Sequence, residues 1–158
     1  MGVTDEDYMR EALAEARKAA ALGEVPIGAV LVRAGEVLVR AHNLRETTHD
    51  ATAHAEVLAI REAGRLLGGW RLTGCTLYVT IEPCPMCAGA LLQSRVDRVV
   101  FGARDPKAWA DRSLLEILQN PGLNHRVEVR EGVLADECGE VMRAFFRARR
   151  RSTQQDWI

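Results

Sequence analysis

The chain has 158 residues, of which 47% are hydrophobic and 27% are charged, and its formal net charge is -1. These values are ordinary for a globular protein that buries its own core, and we expect a single domain over residues 1–158. A net charge near zero excludes a protein whose whole surface binds nucleic acid by charge. Since no apolar run approaches the roughly 20 residues of a membrane span and no signal-peptide pattern opens the chain, we expect a cytoplasmic location without membrane contact.

The first third of the chain predicts a helix, a β-hairpin and a polar loop. The helix starts with a capping box, has apolar residues at helical spacing and stops at a glycine. The hairpin consists of two β-rich runs separated by an Ala-Gly pair. The predicted ranges are 4–22 for the helix, 27–33 and 36–41 for the strands, and 42–50 for the loop.

The rest of the chain alternates between helices and strands. The strand after the second helix is apolar and β-branched, which is typical of a strand buried on both faces. Helices are predicted over residues 52–67, 84–94, 114–118 and 135–151, strands over 75–81, 97–102 and 126–133, and a loop over 103–112. This alternation predicts an α/β fold in three layers, with helices on both faces of a sheet.

Two short motifs have the residue types and the spacing of a metal site. Cys84 and Cys87 are three residues apart at a predicted helix start, so both sulfurs should project from one face of its first turn. His54 offers an imidazole from another predicted helix. Two thiolates and one imidazole suit zinc, and catalytic zinc sites keep three protein ligands and leave the fourth position to water. Glu56, two residues from His54, lies off the ligand face and is a candidate proton carrier.

The order of these residues resembles the cytidine deaminase superfamily, whose signature is His-x-Glu followed by Pro-Cys-x-x-Cys. Here the two motifs are His54-Ala55-Glu56 and Pro83-Cys84-Pro85-Met86-Cys87. Further segments narrow the resemblance to bacterial tRNA-specific adenosine deaminases, and together they span almost the whole chain. These segments are residues 23–30, 101–105, 123–126 and 144–150.

The resemblance implies a fold, a reaction and partners. The fold would be the cytidine-deaminase-like three-layer α/β/α sandwich with a central mixed five-stranded sheet. The reaction would be zinc-dependent hydrolysis of adenosine to inosine at the wobble position of a tRNA anticodon loop, with one Zn²⁺ per subunit. Glu56 would take a proton from water, protonate the ring nitrogen beside C6 and protonate the departing amine. The protein would be a homodimer, with the helix after each zinc motif near the partner's active site.

The resemblance also assigns residues to the substrate. Asn43 lies where these deaminases hold the target nucleoside, although a turn residue after a strand is the plainer interpretation of the sequence alone. Near the end of the chain, arginines would pair with RNA phosphates and an aromatic ring would stack on a base. A solvated basic helix face would have the same composition. Phe145, beside these arginines, is expected to close the core. The other implied contacts are Ile27 and Ala55 at the pocket wall, Asp105 at the RNA backbone, and Phe146, Arg147, Arg149 and Arg150 at the RNA-binding end.

One segment departs from the family pattern. After Asp105, Pro106 and Lys107 these enzymes usually carry small residues, commonly with glycine, but here residues 108–113 read Ala-Trp-Ala-Asp-Arg-Ser. The bulky indole of Trp109 and the charge pair that follows it are expected to alter the loop that borders the substrate.

Three alternative interpretations compete with this one. A closed structural zinc site would take its fourth ligand from Cys75, Cys138, His42 or His49, although the two cysteines are more simply buried apolar side chains. A free guanine, cytosine or nucleoside deaminase of the same superfamily would use Trp109 to cap a small-molecule pocket. A non-catalytic zinc-stabilised RNA-binding module would bind RNA in a salt-dependent way and make no inosine.

Overall fold

The computed structural model describes residues 2–110 and 112–156, and within them five strands form one mixed sheet. The strands are β1 (Gly28–Arg33), β2 (Glu36–His42), β3 (Cys75–Ile81), β4 (Arg98–Ala103) and β5 (Glu128–Arg130). Their spatial order is β2-β1-β3-β4-β5, with β1 antiparallel to β2 and β3, and β4 parallel to β3 and β5. The predicted mixed five-stranded sheet is confirmed.

Helices cover both faces of the sheet. They are α1 (Asp5–Ala21), α2 (Arg45–Thr48), α3 (Ala55–Leu67), α4 (Pro85–Gln93), α5 (Pro106–Trp109), α6 (Leu115–Leu118) and α7 (Ala135–Asp156). Buried residues of α3 and α4 pack on one face of the sheet, and those of α1 and α7 pack on the other. The predicted three-layer α/β/α arrangement is therefore confirmed.

Alternation along the central strand β3 separates the two halves of the core. Leu77 and Val79 join the cluster under α3 and α4, whereas Tyr78 between them joins the cluster under α1. Successive strand residues point to opposite faces, so a strand covered on both sides is apolar throughout. This confirms the prediction that residues 75–81 are buried on both faces.

The capping box and the hairpin turn predicted near the start of the chain are both present in the structure. Thr4 Oγ1 accepts a hydrogen bond from Asp7 N at 3.2 Å, and Asp7 Oδ2 accepts one from Thr4 N at 3.0 Å, which is a complete capping box. Ala34 and Gly35 have φ angles of 52° and 76° at the tip of the hairpin. Two positive φ angles are what a tight two-residue hairpin turn requires, so this turn is confirmed.

The structure differs from the predicted elements mainly in the loops and at the far edge of the sheet. The two predicted loops contain the short helices α2 and α5, and α7 continues past residue 151 to Asp156. The last strand is confined to Glu128–Arg130, because it pairs only with Arg98–Val100 of β4 at the edge of the sheet. The helix predicted from residue 52 begins at Ala55, with His54 as its N-cap.

The described helices include none that is both long and apolar enough to cross a bilayer. The expectation of one domain over residues 1–158 stays a prediction.

An ion network ties the start of α1 to the sheet. Asp5, whose side chain is 13% exposed, accepts hydrogen bonds from both terminal nitrogens of Arg98 at 3.0 and 2.8 Å and from the Tyr78 hydroxyl at 2.6 Å. Arg130 on β5 donates to the same carboxylate. The bond from Arg98 is the largest cause that holds the pKa of Asp5 well below its ordinary value. The carboxylate therefore joins α1, β3, β4 and β5.

Replacing Asp5 with Asn should lower the free energy of unfolding at neutral pH by about 2 kcal/mol, because charge-assisted hydrogen bonds are lost. A depressed folded-state pKa means that Asp5 stabilises the fold above its unfolded-state value near 3.8, and that this contribution is lost as the pH falls further. Urea unfolding of both proteins from neutral pH to about pH 2 measures the difference. The exposed Asp136→Asn is the control, and a difference that does not shrink on acidification would contradict the assignment.

Candidate metal site and adjoining pocket

Three side chains with metal-binding atoms converge where α3 and α4 begin. His54 is the N-cap of α3, Cys84 is the N-cap of α4, and Cys87 lies in the first turn of α4. Their ligand atoms lie within 4.8 Å of one another. His54 Nδ1 is 3.6 Å from Cys84 Sγ and 3.5 Å from Cys87 Sγ. The structure thus brings together the three residues that the sequence indicated as ligands, and they form a candidate metal site.

The local sequence explains why both helices begin at this point. Strand β3 leads directly to the α4 start, where Pro85 at the first helical position has a preset φ and no N–H to satisfy. Because α3 and α4 pack against each other, their N-termini lie side by side. The positive ends of two helix dipoles favour negative charge, which suits thiolates at this place.

The two thiols have different proton affinities. A hydrogen bond from Cys87 lowers the pKa of Cys84 to about 4, and His54 acts in the same direction. The bond to Cys84, together with burial, raises the pKa of Cys87, and the bond to Cys84 also raises the pKa of His54. Sulfur and imidazole donors of this kind favour soft divalent metals, and metal binding displaces the protons that remain on these side chains.

Glu56 lies beside this group and is 3% exposed. Its Oε1 is buried and has no hydrogen-bond partner among the described residues. Burial raises the pKa of Glu56 to about 7, and the nearby Cys84 sulfur also raises it. A buried carboxyl oxygen without a partner is costly. The orphaned oxygen and the donor set therefore fit a site completed by a metal ion and the molecules it brings.

A cavity of about 460 Å³ opens next to His54. All four predicted substrate-binding residues line this cavity, together with Phe146 from α7. They are Ile27, Asn43, Ala55 and Asp105. Sequence reasoning missed other lining residues, among them Val25, Arg45, Lys107 and Met142, because they come from segments that meet only in the folded chain. The volume and the mixed lining are those of a small-molecule or nucleoside site.

Asn43 is held rigidly at the cavity. Its Nδ2 donates to the Val25 carbonyl at 3.2 Å, and its Oδ1 accepts from Arg45 N at 3.1 Å. Its backbone N–H donates to the Ile27 carbonyl at 3.0 Å. The amide orientation is therefore set by the backbone on either side, and the Val25 carbonyl takes one of the two N–H donors of the side chain.

The chain matches known deaminases over nearly its whole length. The sequence model of the MafB19-like deaminase family covers residues 3–150. The tRNA-specific adenosine deaminase of Bacillus subtilis is 59% identical over 147 residues, which are 93% of this chain and 91% of that protein. The chain belongs to the tRNA-specific adenosine deaminase family.

One solved structure agrees with this placement in the family, and a second shares the fold. One structure from studies of A-to-I editing by tRNA:A34 deaminases superposes on this deaminase with a TM-score of 0.79 and 45% identity, covering 85% of this chain and 97% of that one. A guanine deaminase from Nitrosomonas europaea superposes with a TM-score of 0.76 at 24% identity, covering 92% and 85% of the two chains. At that identity the second match shows the shared fold alone.

Asp105 has two structural partners in this deaminase. Its Oδ1 accepts from Ala108 N at 3.4 Å, which makes it the N-cap of α5, and its backbone N–H donates to Glu82 Oε1 at 2.9 Å. Asp105 thus lines the cavity and also orders the helix behind it.

Trp109 does not line the cavity, so the expectation that it would cap a small-molecule pocket is wrong. It is 7% exposed and packs in the core cluster shared with α3 and α4, and its Nε1 donates to the Pro83 carbonyl at 2.8 Å. The short helix α5 turns this side chain inward. Asp111 lies outside the described residues, and Arg112 is exposed with its Nη1 3.6 Å from a Glu116 carboxylate oxygen.

The predicted RNA-binding residues lie along α7. Phe146 lines the cavity, and Arg147 donates to Glu140 at 2.7 Å. The guanidinium of Arg149 lies 5.7 Å from the centre of the Phe145 ring. Arg150 is exposed. Phe145 is only half-buried and belongs to neither core cluster, so the expectation that it closes the core is wrong.

A fourth protein ligand is not offered by any described residue. Cys75 and Cys138 are buried in separate core clusters, as predicted. His42 Nδ1 is paired with a Glu15 carboxylate oxygen at 2.9 Å, and His49 is exposed. The described group of possible ligands contains His54, Cys84 and Cys87 without these four, which disfavours a closed structural site.

Glu24 supports the cavity and was missed in the sequence, where a lone acid before Val-Pro-Ile was its only signal. It is buried, and its carboxylate accepts from Glu46 N at 3.1 Å and from Thr47 N at 2.6 Å at the start of α2. Burial acts to raise the pKa of Glu24, but the bonds from Thr47 and Glu46 lower it on balance. This carboxylate thereby holds the loop that carries Asn43.

Replacing Glu24 with Gln should destabilise the fold by about 2 kcal/mol, because one carboxylate oxygen becomes an amide that faces a backbone N–H. The amide protons of Glu46 and Thr47 should exchange faster, since they lose their acceptor. Hydrogen exchange followed by NMR measures both sites. The exposed Glu36→Gln should leave them unchanged, and unchanged exchange in Glu24→Gln would refute the capping role.

Proposed function

We propose that this chain is a hydrolytic zinc-dependent deaminase that converts adenosine to inosine at position 34, the wobble position, of a tRNA anticodon loop. The observation that carries the proposal is the buried, partnerless Glu56 oxygen beside His54, Cys84 and Cys87, next to a cavity of nucleoside size. A relative named tRNA-specific adenosine deaminase is 59% identical, and this supports the choice of substrate.

His54, Cys84 and Cys87 would hold the metal, one Zn²⁺ per subunit. One imidazole and two sulfurs are the donors that suit zinc, and three protein ligands are the number found in catalytic sites. When bound, zinc supplies a water of lowered pKa and hence a hydroxide nucleophile at neutral pH.

Glu56 carries the protons of the reaction. Its carboxylate would accept a proton from the attacking water and deliver it to the ring nitrogen beside C6 of adenine. It would then accept the remaining proton of the hydroxyl added at C6 and deliver it to the departing amine. Water and adenosine thereby become inosine and ammonia. Its burial keeps bulk water from competing for these protons, and general acid–base help of this kind contributes roughly 10²–10⁴-fold to the rate.

The cavity would take a single extruded nucleotide. Ile27 and Ala55 offer an apolar wall, and Asn43 offers a fixed amide N–H to the nucleoside. Asp105 also lines the cavity, and the RNA backbone would pass beside it. Bases in an anticodon loop are already partly unstacked, so extruding one costs less than opening a duplex.

Positive charge near the cavity supports an RNA substrate over a free base. Arg45 and Lys107 line the cavity and are exposed. Phe146, Arg147, Arg149 and Arg150 would bind the stem-loop outside the flipped nucleotide. A free base has no phosphate for these arginines to bind, and a non-catalytic RNA-binding module gives no reason for Glu56, so neither alternative is favoured.

A homodimer belongs to the same proposal. The exposed Trp70 and residues of α3 and α4, among them Ile60, Gly64 and Ala90, line a mostly apolar cavity on the outer side of these helices. Both helices also begin at the metal site, and the proposal places them near the partner's active site. A single domain and a cytoplasmic location complete the proposal.

Replacing Glu56 with Gln should lower kcat for inosine formation on an adenosine-containing anticodon stem-loop by roughly 10²–10⁴-fold, because the proton carrier is lost. The zinc content per chain should stay the same, since Glu56 is not a ligand. The assay separates inosine from adenosine nucleosides after digestion, and metal analysis gives the zinc content. Glu62→Gln on the surface of α3 is the matched control; no inosine from the unsubstituted zinc-loaded chain would refute the proposed function.

Replacing Arg150 with Ala should weaken stem-loop binding and reduce the slope of log K against log salt by about 0.7 to 1, the effect of losing one phosphate contact. Fluorescence anisotropy with a labelled stem-loop over a salt series measures the slope. Arg10→Ala on α1 removes the same charge elsewhere and should leave the slope unchanged. Equal slopes for the Arg150→Ala variant and the unsubstituted chain would exclude Arg150 from the RNA-binding end.

A further inference from the structure

Three hydrogen bonds join residues 103–109, which lead into the segment that departs from the family pattern, to the chain just before α4. Glu82 N donates to the Ala103 carbonyl at 2.8 Å, and Asp105 N donates to Glu82 Oε1 at 2.9 Å. Trp109 Nε1 donates to the Pro83 carbonyl at 2.8 Å. The first two bonds hold the start of α5, and the indole holds its end.

The Pro83 carbonyl is a buried acceptor immediately before Cys84. Pro83 and Trp109 are both buried, so solvent does not replace the indole N–H as its partner. Buried carbonyls are nearly always paired in native proteins. The indole therefore orders the backbone at the point where the chain enters α4 and its two sulfurs.

Helix α5 is too short to be stable by its own hydrogen bonds. It has four residues and ends at Trp109, after which the C-cap Ala110, with a φ of 43°, turns the chain away. Isolated helices of this length do not persist, so tertiary contacts must hold it. Trp109 supplies such contacts, because it is the last residue of α5 and packs in the core. Pro106 and Lys107, on the same helix, line the cavity.

We propose that Trp109 is a positioning residue that fixes the cavity wall of Asp105, Pro106 and Lys107 relative to Cys84, through its hydrogen bond to Pro83 and its packing under α5. The kinetic effect that we expect of Trp109 rests on the proposed function. Because Trp109 does not line the cavity, it acts through the wall and not on the substrate. A wall held in place before binding lowers the ordering cost of binding, so the effect falls on KM and not on kcat.

The test compares Trp109→Phe with the unsubstituted protein, both loaded with zinc. Trp109→Phe keeps an aromatic ring in the core and loses the N–H. KM for the anticodon stem-loop should rise roughly three- to ten-fold, the loss expected for one hydrogen bond, with kcat within about two-fold and unchanged zinc content. Equal KM values for the variant and the unsubstituted protein would overturn the proposal.

A second measurement does not depend on turnover. In ¹H–¹⁵N spectra of the unsubstituted protein, the indole proton of Trp109 should exchange much more slowly than that of a free indole, and a rate as fast as that of a free indole overturns the proposal without any variant. In Trp109→Phe the backbone resonances of Asp105, Lys107 and Cys84 should shift. Shifts confined to the core neighbours of the ring would show a packing role alone. If the unsubstituted protein makes no inosine, the proposed function fails while these spectra still decide the role of Trp109.

Discussion

The packing of α3 against α4 on one face of the sheet is the contact on which the site depends. The buried face of α3 consists largely of alanines, among them Ala59 and Ala63, and Ala88 of α4 lies in the same cluster. Small side chains let helices and sheet approach closely. As a result, His54 and Cys84, which are 30 residues apart in the chain, lie in contact at the two helix starts. Without this packing the ligands would lie on two helices whose starts do not meet.

Buried carboxylates have opposite environments at the site and away from it. Asp5 and Glu24 are surrounded by donors, which lower their pKa values and make each carboxylate a link between elements. Glu56 has a partnerless oxygen, and burial raises its pKa to about 7. Among the described residues, the structure thus leaves one oxygen of a buried carboxyl group without a partner beside the candidate metal ligands. Local rules are commonly broken at functional sites, where a bound molecule supplies what the fold leaves out.

The loops that form the cavity walls contain short helices that other residues hold in place. Helix α2 is capped by Glu24, and helix α5 is capped by Asp105 and anchored by Trp109. Neither helix is long enough to form alone. Glu24 and Trp109 therefore support the cavity without lining it, whereas Asp105 does both, and a bulky indole can occupy a segment next to the cavity without entering it.

The sequence by itself determined the features that depend on neighbouring residues. Thr4 and Asp7 form their capping box, Ala34-Gly35 forms the hairpin turn, and the apolar run of β3 is buried on both faces, because capping, turn conformation and strand burial are encoded locally. The spacing of Cys84 and Cys87 likewise placed both sulfurs in one helical turn. Only the tertiary structure decided the rest, such as the inward turn of Trp109, the capping role of Glu24, the short β5 and the half-exposed Phe145. Each of these depends on contacts between residues far apart in the chain, and no local pattern specifies such contacts.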